Sequence, residues 1–147
     1  MQKILFVCHG NICRSTMAEY VMKDMVAKFG LSDQYEIDSA ATSREEIGNP
    51  IYPPARKKLL SEGIPIGTHR ARQITKADYA HFDRIYIMDH WNQRNILRVL
   101  GSDPDDKIEM LLDRDVADPW YTGDFDATYR DVTEGCKRII DEYCNTK

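Results

Sequence analysis

The feature that most constrains the fold of this chain is a short segment near its start, residues 8–15, with the sequence CHGNICRS. It follows the apolar run at residues 4–7, and from residue 15 to residue 29 apolar side chains recur three and four positions apart. An uninterrupted apolar run is typical of a buried parallel strand, and the second spacing is typical of a one-faced helix. The segment is therefore predicted to be a tight loop between a first strand, residues 3–8, and a first helix.

Such a loop has the properties of an oxyanion site. Its backbone N–H groups point inward, and the dipole of the following helix adds positive potential. Arg14 offers a planar guanidinium that can bind two oxygens of one oxyanion, and Gly10 lets the backbone turn without a Cβ clash. The same field favours the nucleophilic thiolate form of Cys8. Ser15 either caps the helix or donates its hydroxyl to the Cys8 sulfur.

A plainer interpretation makes Cys8 a buried thiol at a strand end and Arg14 a surface side chain. The Cys-x5-Arg pattern alone favours that interpretation because it is loose. The strand before it, the internal glycine, the serine after it and the helix beyond it together favour an anion site. A phosphate pocket with a thiolate at its base is suited to phosphoryl transfer.

The rest of the chain alternates between strand and helix patterns. Further strands are predicted at residues 35–40, 84–89 and 107–112, and further helices from residue 53, at 78–82, at 90–100 and from residue 125. Residues 113–124 are predicted to form a loop. The alternation implies a three-layer αβα fold with a four-stranded parallel sheet, in a single domain of residues 1–147. Ligands bind such sheets at the carboxyl ends of the strands, where Cys8 lies.

Composition excludes several classes of function. The net charge of −4 gives no indication of nucleic-acid binding, and no apolar run is long enough to span a bilayer. Met1 leads directly into a short strand rather than into a signal peptide, so we expect a cytoplasmic protein. We also expect a monomer with no membrane partner.

Of the four cysteines, only Cys8 and Cys13 can meet, across the loop. Cys136 and Cys144 lie eight positions apart on a predicted helix. That spacing is about 12 Å by helical rise, too far for a disulfide. Cys136 falls on the apolar stripe and is predicted to be a core residue. Neither Cys136 nor Cys144 shows zinc-ligand spacing with its neighbours, and no metal site is predicted.

A second group of candidate residues follows strands three and four. Phosphoryl transfer through a cysteine needs a proton donor for the leaving oxygen, and the candidates are Asp89 and Asp118. Pro119 stiffens the chain after Asp118, and Trp120 and Tyr121 offer flat surfaces for an aromatic leaving group. The alternative is a turn aspartate with aromatic residues folded onto the core, and spacing alone does not decide between the two.

Residues 8–15, together with Asp-Pro-Trp-Tyr at 118–121, resemble the low-molecular-weight protein tyrosine phosphatase family. The segments DSAATS at 38–43, IGNP at 47–50, HRARQIT at 69–75 and MDHWN at 88–92 resemble it as well. The likeness extends along essentially the whole chain. It implies an enzyme that hydrolyses the phosphotyrosine esters of proteins through a phosphocysteine, without a cofactor.

The resemblance also implies roles for individual residues. Cys8 is the expected nucleophile, Arg14 the phosphate clamp and Asp118 the general acid. The expected phosphate-binding residues are His9, Gly10, Asn11, Ile12, Cys13, Arg14 and Ser15. The expected supporting residues are Asn11, Ser15, His69 and Asp89. The expected substrate slot is formed by Ile12, Glu45, Glu46, Asn49, Trp120 and Tyr121.

Three positions depart from common family patterns. Thr16 stands where proline is usual, Glu45 where some members carry an aromatic wall, and Trp120 where tyrosine is frequent. None of them carries a catalytic atom, so these departures concern substrate preference. On the side of the slot where Glu45 stands, the entrance is expected to be more open and more acidic.

Two other functions are compatible with the loop. Arsenate reduction, which some relatives perform, needs further cysteines to relay a disulfide, and none lies between Cys13 and Cys136. The second of these functions is that of a non-catalytic module that binds anions or takes part in thiol redox reactions. The loop also predicts a reversible disulfide between Cys8 and Cys13 that switches activity off, the alternative being that Cys13 packs beneath the helix start.

Overall fold

The fold is built on one four-stranded sheet, seen in a computed structural model that describes residues 1–145. Every strand pair is parallel, and the strand order is β2-β1-β3-β4. The strands are β1 (Gln2–Cys8), β2 (Tyr35–Ala41), β3 (Arg84–Ile87) and β4 (Ile108–Met110). The predicted four-stranded parallel sheet is thereby confirmed, with the strand that carries Cys8 in an interior position.

Helices cover both faces of the sheet. They are α1 (Arg14–Lys28), α2 (Pro53–Ser61), α3 (Lys76–His81), α4 (His90–Leu100), α5 (Pro119–Thr122) and α6 (Phe125–Asn145). The helices α1, α2 and α6 pack on one face, and α3 and α4 on the other. No helix within the described range is long and apolar enough to cross a membrane.

Strand β1 divides the hydrophobic core into two parts because its successive side chains point to opposite faces. Ile4, Phe6 and Cys8 join the larger cluster with α1, α2 and α6, whereas Leu5 and Val7 join the smaller cluster with α4. All five side chains are buried. The continuous apolar run that predicted a central strand is therefore explained by burial on both sides.

All the predicted strands and helices are present, with boundaries that differ from the prediction by at most two residues. The predicted helix at residues 90–100 is confirmed, whereas β4 is shorter than the predicted 107–112. The predicted loop at 113–124 contains the short helix α5, which the prediction missed. The Asp118 side chain accepts a hydrogen bond from the Trp120 amide, Pro119 occupies the first turn, and Gly123 ends the helix with a φ of 71°.

Candidate active site

Cys8 is the last residue of β1, and its sulfur lies at the base of the loop that leads into α1. The Ser15 hydroxyl lies 3.0 Å from this sulfur, and the Asn11 backbone amide donates to it at 3.3 Å. Ser15 Oγ already accepts a hydrogen bond from the Asn11 side chain at 2.8 Å, which leaves its own proton for the sulfur. Of the two roles expected for Ser15, the structure therefore shows the contact with sulfur. The N-cap of α1 is Cys13, which makes no side-chain capping bond.

Asn11 holds the loop in an uncommon conformation. Its φ of 60° lies in the left-handed region, which asparagine tolerates better than most residues. Its side-chain amide donates to Ser15 and, at 2.9 Å, to Ser39 Oγ. Its backbone oxygen accepts from the Thr16 hydroxyl at 2.8 Å. Three buried hydrogen bonds of Asn11, to Ser15, Ser39 and Thr16, thus fix the loop.

His69 connects this loop to two carboxylates. Its Nε2 lies 2.7 Å from the Asn11 carbonyl oxygen Oδ1, which can only accept, so Nε2 carries a proton. Its Nδ1 lies 3.4 Å from Glu19 Oε1 and 3.3 Å from Asp38 Oδ1. Burial alone raises the pKa of Asp38, but hydrogen bonds from His69 and from the Ser39 amide, together with the charge of Arg72, outweigh it and lower this pKa to about 2. The expected position of His69 beside the loop is observed.

The same cluster is the one place in the described part of the chain where a metal ion could be held. Single ligand atoms of Glu19, Asp38 and His69 all lie within 4.8 Å of one another. Lys23 already pairs with Glu19 at 2.7 Å, and Arg72 pairs with Asp38 at 3.0 Å. These cations neutralise both carboxylates, so the arrangement is that of a partly exposed ion-pair network around the buried Glu19.

Arg14 is buried at the start of α1 and is held by groups from distant loops. Its Nη1 donates to Asp89 Oδ2 at 2.8 Å and to the Val116 carbonyl at 2.9 Å, and its Nη2 lies 3.4 Å from Asp118 Oδ2. Burial alone lowers the pKa of this guanidinium, but the negative charges of Cys8, Asp118 and Asp89 raise it overall. The site therefore contains a permanent, well-oriented cation.

The two candidate proton donors occupy different positions. Asp89 caps α4 by accepting from the Asn92 amide at 2.7 Å, and its other oxygen is bound to Arg14. Its side chain does not line the cavity that Cys8 and Arg14 line. Asp118 lines that cavity, and its side chain is 26% exposed against 13% for Asp89. Of the two carboxyl groups, Asp118 is the one placed to meet a ligand.

The cavity that Cys8, Arg14 and Asp118 line, named the catalytic cavity, has a volume of about 210 Å³. It is lined by residues of the loop after β1, by Asp118 at the start of α5, by two aromatic residues and by two acidic residues at its rim. The lining residues are Cys8, His9, Gly10, Ile12, Cys13, Arg14, Glu45, Glu46, Asp118, Trp120 and Tyr121. The structure thus brings most of the predicted site residues to one cavity; Asn11 and Ser15 belong to the loop but do not line the cavity.

The acidic side of the entrance is formed by residues after β2. Glu45 lies 3.0 Å from His9 through Oε2 and Nε2, and its side chain is 69% exposed. Glu46 accepts from the Asn49 side chain at 2.6 Å. Asn49 does not line the cavity, so it lies behind Glu46 rather than in the slot itself. Glu45 and Glu46 both line the cavity, so this side of its entrance carries two carboxylates.

The aromatic side of the entrance includes a residue that the sequence analysis missed. Trp120 and Tyr121 are both exposed, Tyr121 almost fully. Tyr52 lies behind Trp120, with ring centroids 5.0 Å apart, and its amide donates to the Ile12 carbonyl at 2.8 Å. Tyr52 therefore connects the aromatic wall to the loop that carries Cys8.

All four cysteines are free. Cys13 is buried against Ile12 and Ala71, and burial first, then the charge of Cys8, raises the pKa of its thiol. Cys136 is fully buried, as predicted for a core residue. The packing role of Cys13 is therefore observed, whereas the disulfide with Cys8 stays a prediction.

Sequence reasoning also missed the groups that support the loop from beneath. Ser39 donates to Glu19 Oε1 at 2.5 Å, and both residues are buried. A glutamate beside the apolar positions of a predicted helix was a signal that could have identified Glu19. The Val116 carbonyl that binds Arg14 leaves no trace in the sequence, because any residue provides a carbonyl.

Comparison with known proteins agrees with this geometry. The family model described as "Low molecular weight phosphotyrosine protein phosphatase" matches residues 3–146. This chain belongs to that family. Its fold, its cysteine loop and its enzyme class are therefore those of a cysteine-dependent protein-tyrosine-phosphatase.

Individual members of the family are similar along nearly their whole length. The low molecular weight protein-tyrosine-phosphatase YfkJ of Bacillus subtilis is 37% identical, with 95% of this chain and 94% of that protein covered. The crystal structure of YfkJ superimposes with a TM-score of 0.95 at 36% identity, covering 100% of this chain and 97% of YfkJ. The human low molecular weight phosphotyrosine protein phosphatase is 38% identical, with 96% and 95% covered. The structure of DARP, a Drosophila arginine phosphatase, has a TM-score of 0.85 at 32% identity, with 97% and 98% covered.

Proposed function

We propose that this phosphatase hydrolyses phosphotyrosine esters of proteins in two steps, with Cys8 as nucleophile, Arg14 as phosphate clamp and Asp118 as proton donor and acceptor. The observation that carries the proposal is the Cys8 sulfur at the base of a cavity that Arg14 and Asp118 also line. One sheet with cores on both faces supports a single catalytic domain of residues 1–147. We propose that it acts as a monomer.

In the first step the Cys8 thiolate attacks phosphorus in line with the ester oxygen. The S–P bond forms as the P–O bond to the phenol breaks, and protonated Asp118 transfers its proton to the departing oxygen. The attacking sulfur is kept in position by the Ser15 hydroxyl and the Asn11 amide, at 3.0 and 3.3 Å. Proton transfer by a positioned carboxyl group contributes rate because phenolate is otherwise a poor leaving group.

Arg14 and the loop amides stabilise the transition state. The Arg14 Nη2 lies 3.4 Å from Asp118 Oδ2, a longer contact than the 2.8 Å between Nη1 and Asp89 Oδ2. The Nη2 side is thus the more available one for phosphoryl oxygens, while Asp89 keeps the guanidinium plane in place. Preorganised donors of this kind are often the largest contribution to catalysis.

In the second step water hydrolyses the phosphocysteine. Asp118, now ionised, accepts a proton from the water as it attacks phosphorus, the S–P bond breaks, and inorganic phosphate leaves. The thiolate of Cys8 is restored, and so is the protonated form of Asp118. The same carboxyl group serves both steps because it borders the cavity from the solvent side.

The shape of the entrance supports an aromatic leaving group. Ile12 provides an apolar edge, and Trp120, backed by Tyr52, provides a flat wall. A phenyl ring between them replaces water on apolar surface, which favours binding. Ring contact and phosphate binding together select phosphotyrosine over the shorter phosphoserine.

A second substrate class has one observation in its favour. DARP, a structural relative, acts on arginine according to its name, and Glu45 and Glu46 of this chain would face a guanidinium at the entrance. The apolar and aromatic remainder of the slot favours phosphotyrosine over phosphoarginine. The two substrates are separable in one assay.

The test is steady-state hydrolysis of matched peptides that carry phosphotyrosine, phosphoserine or phosphoarginine, with release of phosphate as the readout. The phosphotyrosine peptide should give the highest kcat/KM. A higher kcat/KM for phosphoarginine would transfer the assignment to that substrate. Absence of turnover in all three, with arsenate-dependent oxidation of thioredoxin instead, would support arsenate reduction.

A further inference from the structure

A second concave surface is linked to the catalytic cavity by the short segment from Glu46, which lines the cavity, to Pro50, which lines this second surface. It is a groove with a volume of about 600 Å³, formed by α2, the residues just before it and residues 66–70. Its apolar lining residues are Pro50, Ile51, Pro53, Leu60 and Ile66. Its fully charged lining residues are all cations, namely Arg56, Lys57 and Arg70, and no carboxylate lines it within the described range.

These three cations differ from most of their neighbours because they lack acidic partners. Within residues 1–145 none of Arg56, Lys57 and Arg70 forms an ion pair, whereas Lys58, next on the same helix, binds both Glu62 and Asp126. The chain as a whole carries 24 acidic and 20 basic residues. Three unpaired cations around an apolar floor therefore form a local exception to an acidic surface, and such a surface complements an acidic ligand.

The groove and the catalytic cavity share one loop. Arg70 donates to the Gly48 carbonyl at 2.9 Å and pairs with Pro50 in an isolated β-bridge. Asn49, between those two residues, donates to Glu46, which lines the catalytic cavity. A peptide that leaves the catalytic cavity across this loop therefore arrives at the groove.

We propose that the groove binds an acidic, partly apolar segment of the phosphoprotein substrate, outside the phosphotyrosine itself. This inference rests on the proposed function. Carboxylates of the segment pair with Arg56, Lys57 and Arg70, and its apolar side chains contact Leu60 and Ile66. A recessed floor between two chain segments fits an extended peptide better than it fits the flat surface of a membrane.

The test compares phosphotyrosine peptides of equal length that carry a block of alternating Glu and Leu, or of Gln and Leu, three, six or nine residues from the phosphotyrosine on either side. At low salt the best acidic peptide should have a kcat/KM roughly tenfold higher than its Gln counterpart, mostly through KM, because exposed ion pairs each contribute modestly. High salt should reduce the difference by screening.

The groove variant is Arg56→Gln with Lys57→Gln, and the control is Arg98→Gln with Lys137→Gln, two exposed cations outside the groove. Only the groove variant should lose the preference for the acidic peptide, and both should hydrolyse p-nitrophenyl phosphate as the wild type does. Equal kcat/KM for acidic and Gln peptides, or a preference that survives in the groove variant, would overturn the inference while leaving the proposed function intact.

A binding measurement separates this inference from catalysis altogether. A fluorescent acidic peptide without phosphotyrosine should bind the wild type more tightly than the groove variant, as read by anisotropy. Equal binding would refute the docking surface whatever the catalytic result. Vesicles that contain phosphatidylserine should not discriminate between the two proteins; loss of vesicle binding in the groove variant alone, without a peptide preference, would make the groove a membrane site instead.

Discussion

At the scale of single residues, the sulfur of Cys8 is the atom on which the proposed reaction depends. Cys8→Ser should abolish turnover, because a hydroxyl is far less nucleophilic, and should leave phosphate binding largely intact, because the loop amides and Arg14 remain. Phosphate release and the affinity for inorganic phosphate, both measured on purified protein, check this. Appreciable residual phosphatase activity would remove Cys8 from its role.

Arg14→Lys tests whether geometry or charge alone matters at the clamp. Lysine keeps the charge but cannot bind two oxygens with a planar fork, and it cannot reproduce the contacts of Arg14 with Asp89 and Val116. We expect a loss in kcat/KM on the order of a hundredfold or more, comparable to the removal of a preorganised transition-state donor. Near-normal kinetics would show that a point charge is sufficient.

Asp118 and Asp89 can be distinguished by the leaving group. Asp118→Asn should slow turnover strongly for phenols of high pKa and much less for p-nitrophenol, because a good leaving group needs no proton. Asp89→Asn should lower the rate for all leaving groups alike, because it disturbs Arg14. Turnover rates of both variants on a series of aryl phosphates with phenols of different pKa test this. If the leaving-group dependence appeared in Asp89→Asn and not in Asp118→Asn, Asp89 would be the proton donor.

Which of these residues the sequence could reveal depends on whether their role is local. Cys8, Arg14 and Ser15 act within one short loop, so their spacing predicts their proximity. His69 and Asp89 reach the loop only through the fold, and the residues themselves do not show that. Resemblance to a family supplied what spacing could not, including the choice of Asp118 over Asp89, and the structure adds that only Asp118 lines the cavity.

At the scale of elements, the loop between β1 and α1 carries a second thiol. Peroxide should convert Cys8 to a sulfenic acid with release of water, and condensation with the Cys13 thiol should then form a disulfide and a second water. Thiol reductant should restore most activity of the wild type and markedly less of Cys13→Ser. Equal recovery in both proteins would leave Cys13 with its packing role alone.

Helix α6 packs closely against the chain that follows β4. A Cβ placed on Gly135 would lie 2.3 Å from Leu111 Cγ, closer than real contacts allow. Gly135→Ala should therefore lower the free energy of unfolding by about 1–3 kcal/mol, although alanine is the better helix former. Urea unfolding measures this, with Lys137→Ala as a control on the same helix.

The double variant Gly135→Ala with Leu111→Ala checks the cause. If the two side chains collide, the second substitution relieves part of the effect of the first, and the two changes are not additive. Strict additivity would mean that the helix shifts away without strain. A glycine in the middle of an otherwise well-patterned helix is visible in the sequence, but its neighbour across the core is not.

Secondary structure was predictable where apolar residues recur with a regular period. It was less predictable where capping residues alone determine whether a helix forms. The apolar pattern of α4 correctly predicted its first and last residues. By contrast, α5 depends on one aspartate, one proline and one glycine within six residues. Such a short helix has no hydrophobic period of its own. Its existence matters for function because it sets the position of Trp120 and Tyr121.

At the scale of the whole molecule, the network around His69 makes stability depend on acidity. The pKa of Asp38 is about 2 in the folded protein against an ordinary 3.8, so its contribution is present above pH 3.8 and is lost as pH falls toward 2. Asp38→Asn should be less stable than the wild type at neutral pH, and the difference should shrink between pH 4 and pH 2. Unfolding by urea across this range measures it, with exposed Asp33→Asn as the control; a gap independent of pH would contradict the assignment.

The order of the strands in the sheet differs from their order in the chain, and this has a consequence for synthesis. The ribosome makes β1 first, yet β1 lies between β2 and β3, and Arg14 finds its partner Asp118 only 104 residues later. A nascent chain therefore contains Cys8 and Arg14 well before it contains Asp118, the proposed proton donor. If the proposed roles hold, we expect a fragment that ends before residue 118 to contain the proposed nucleophile and yet to show no phosphatase activity.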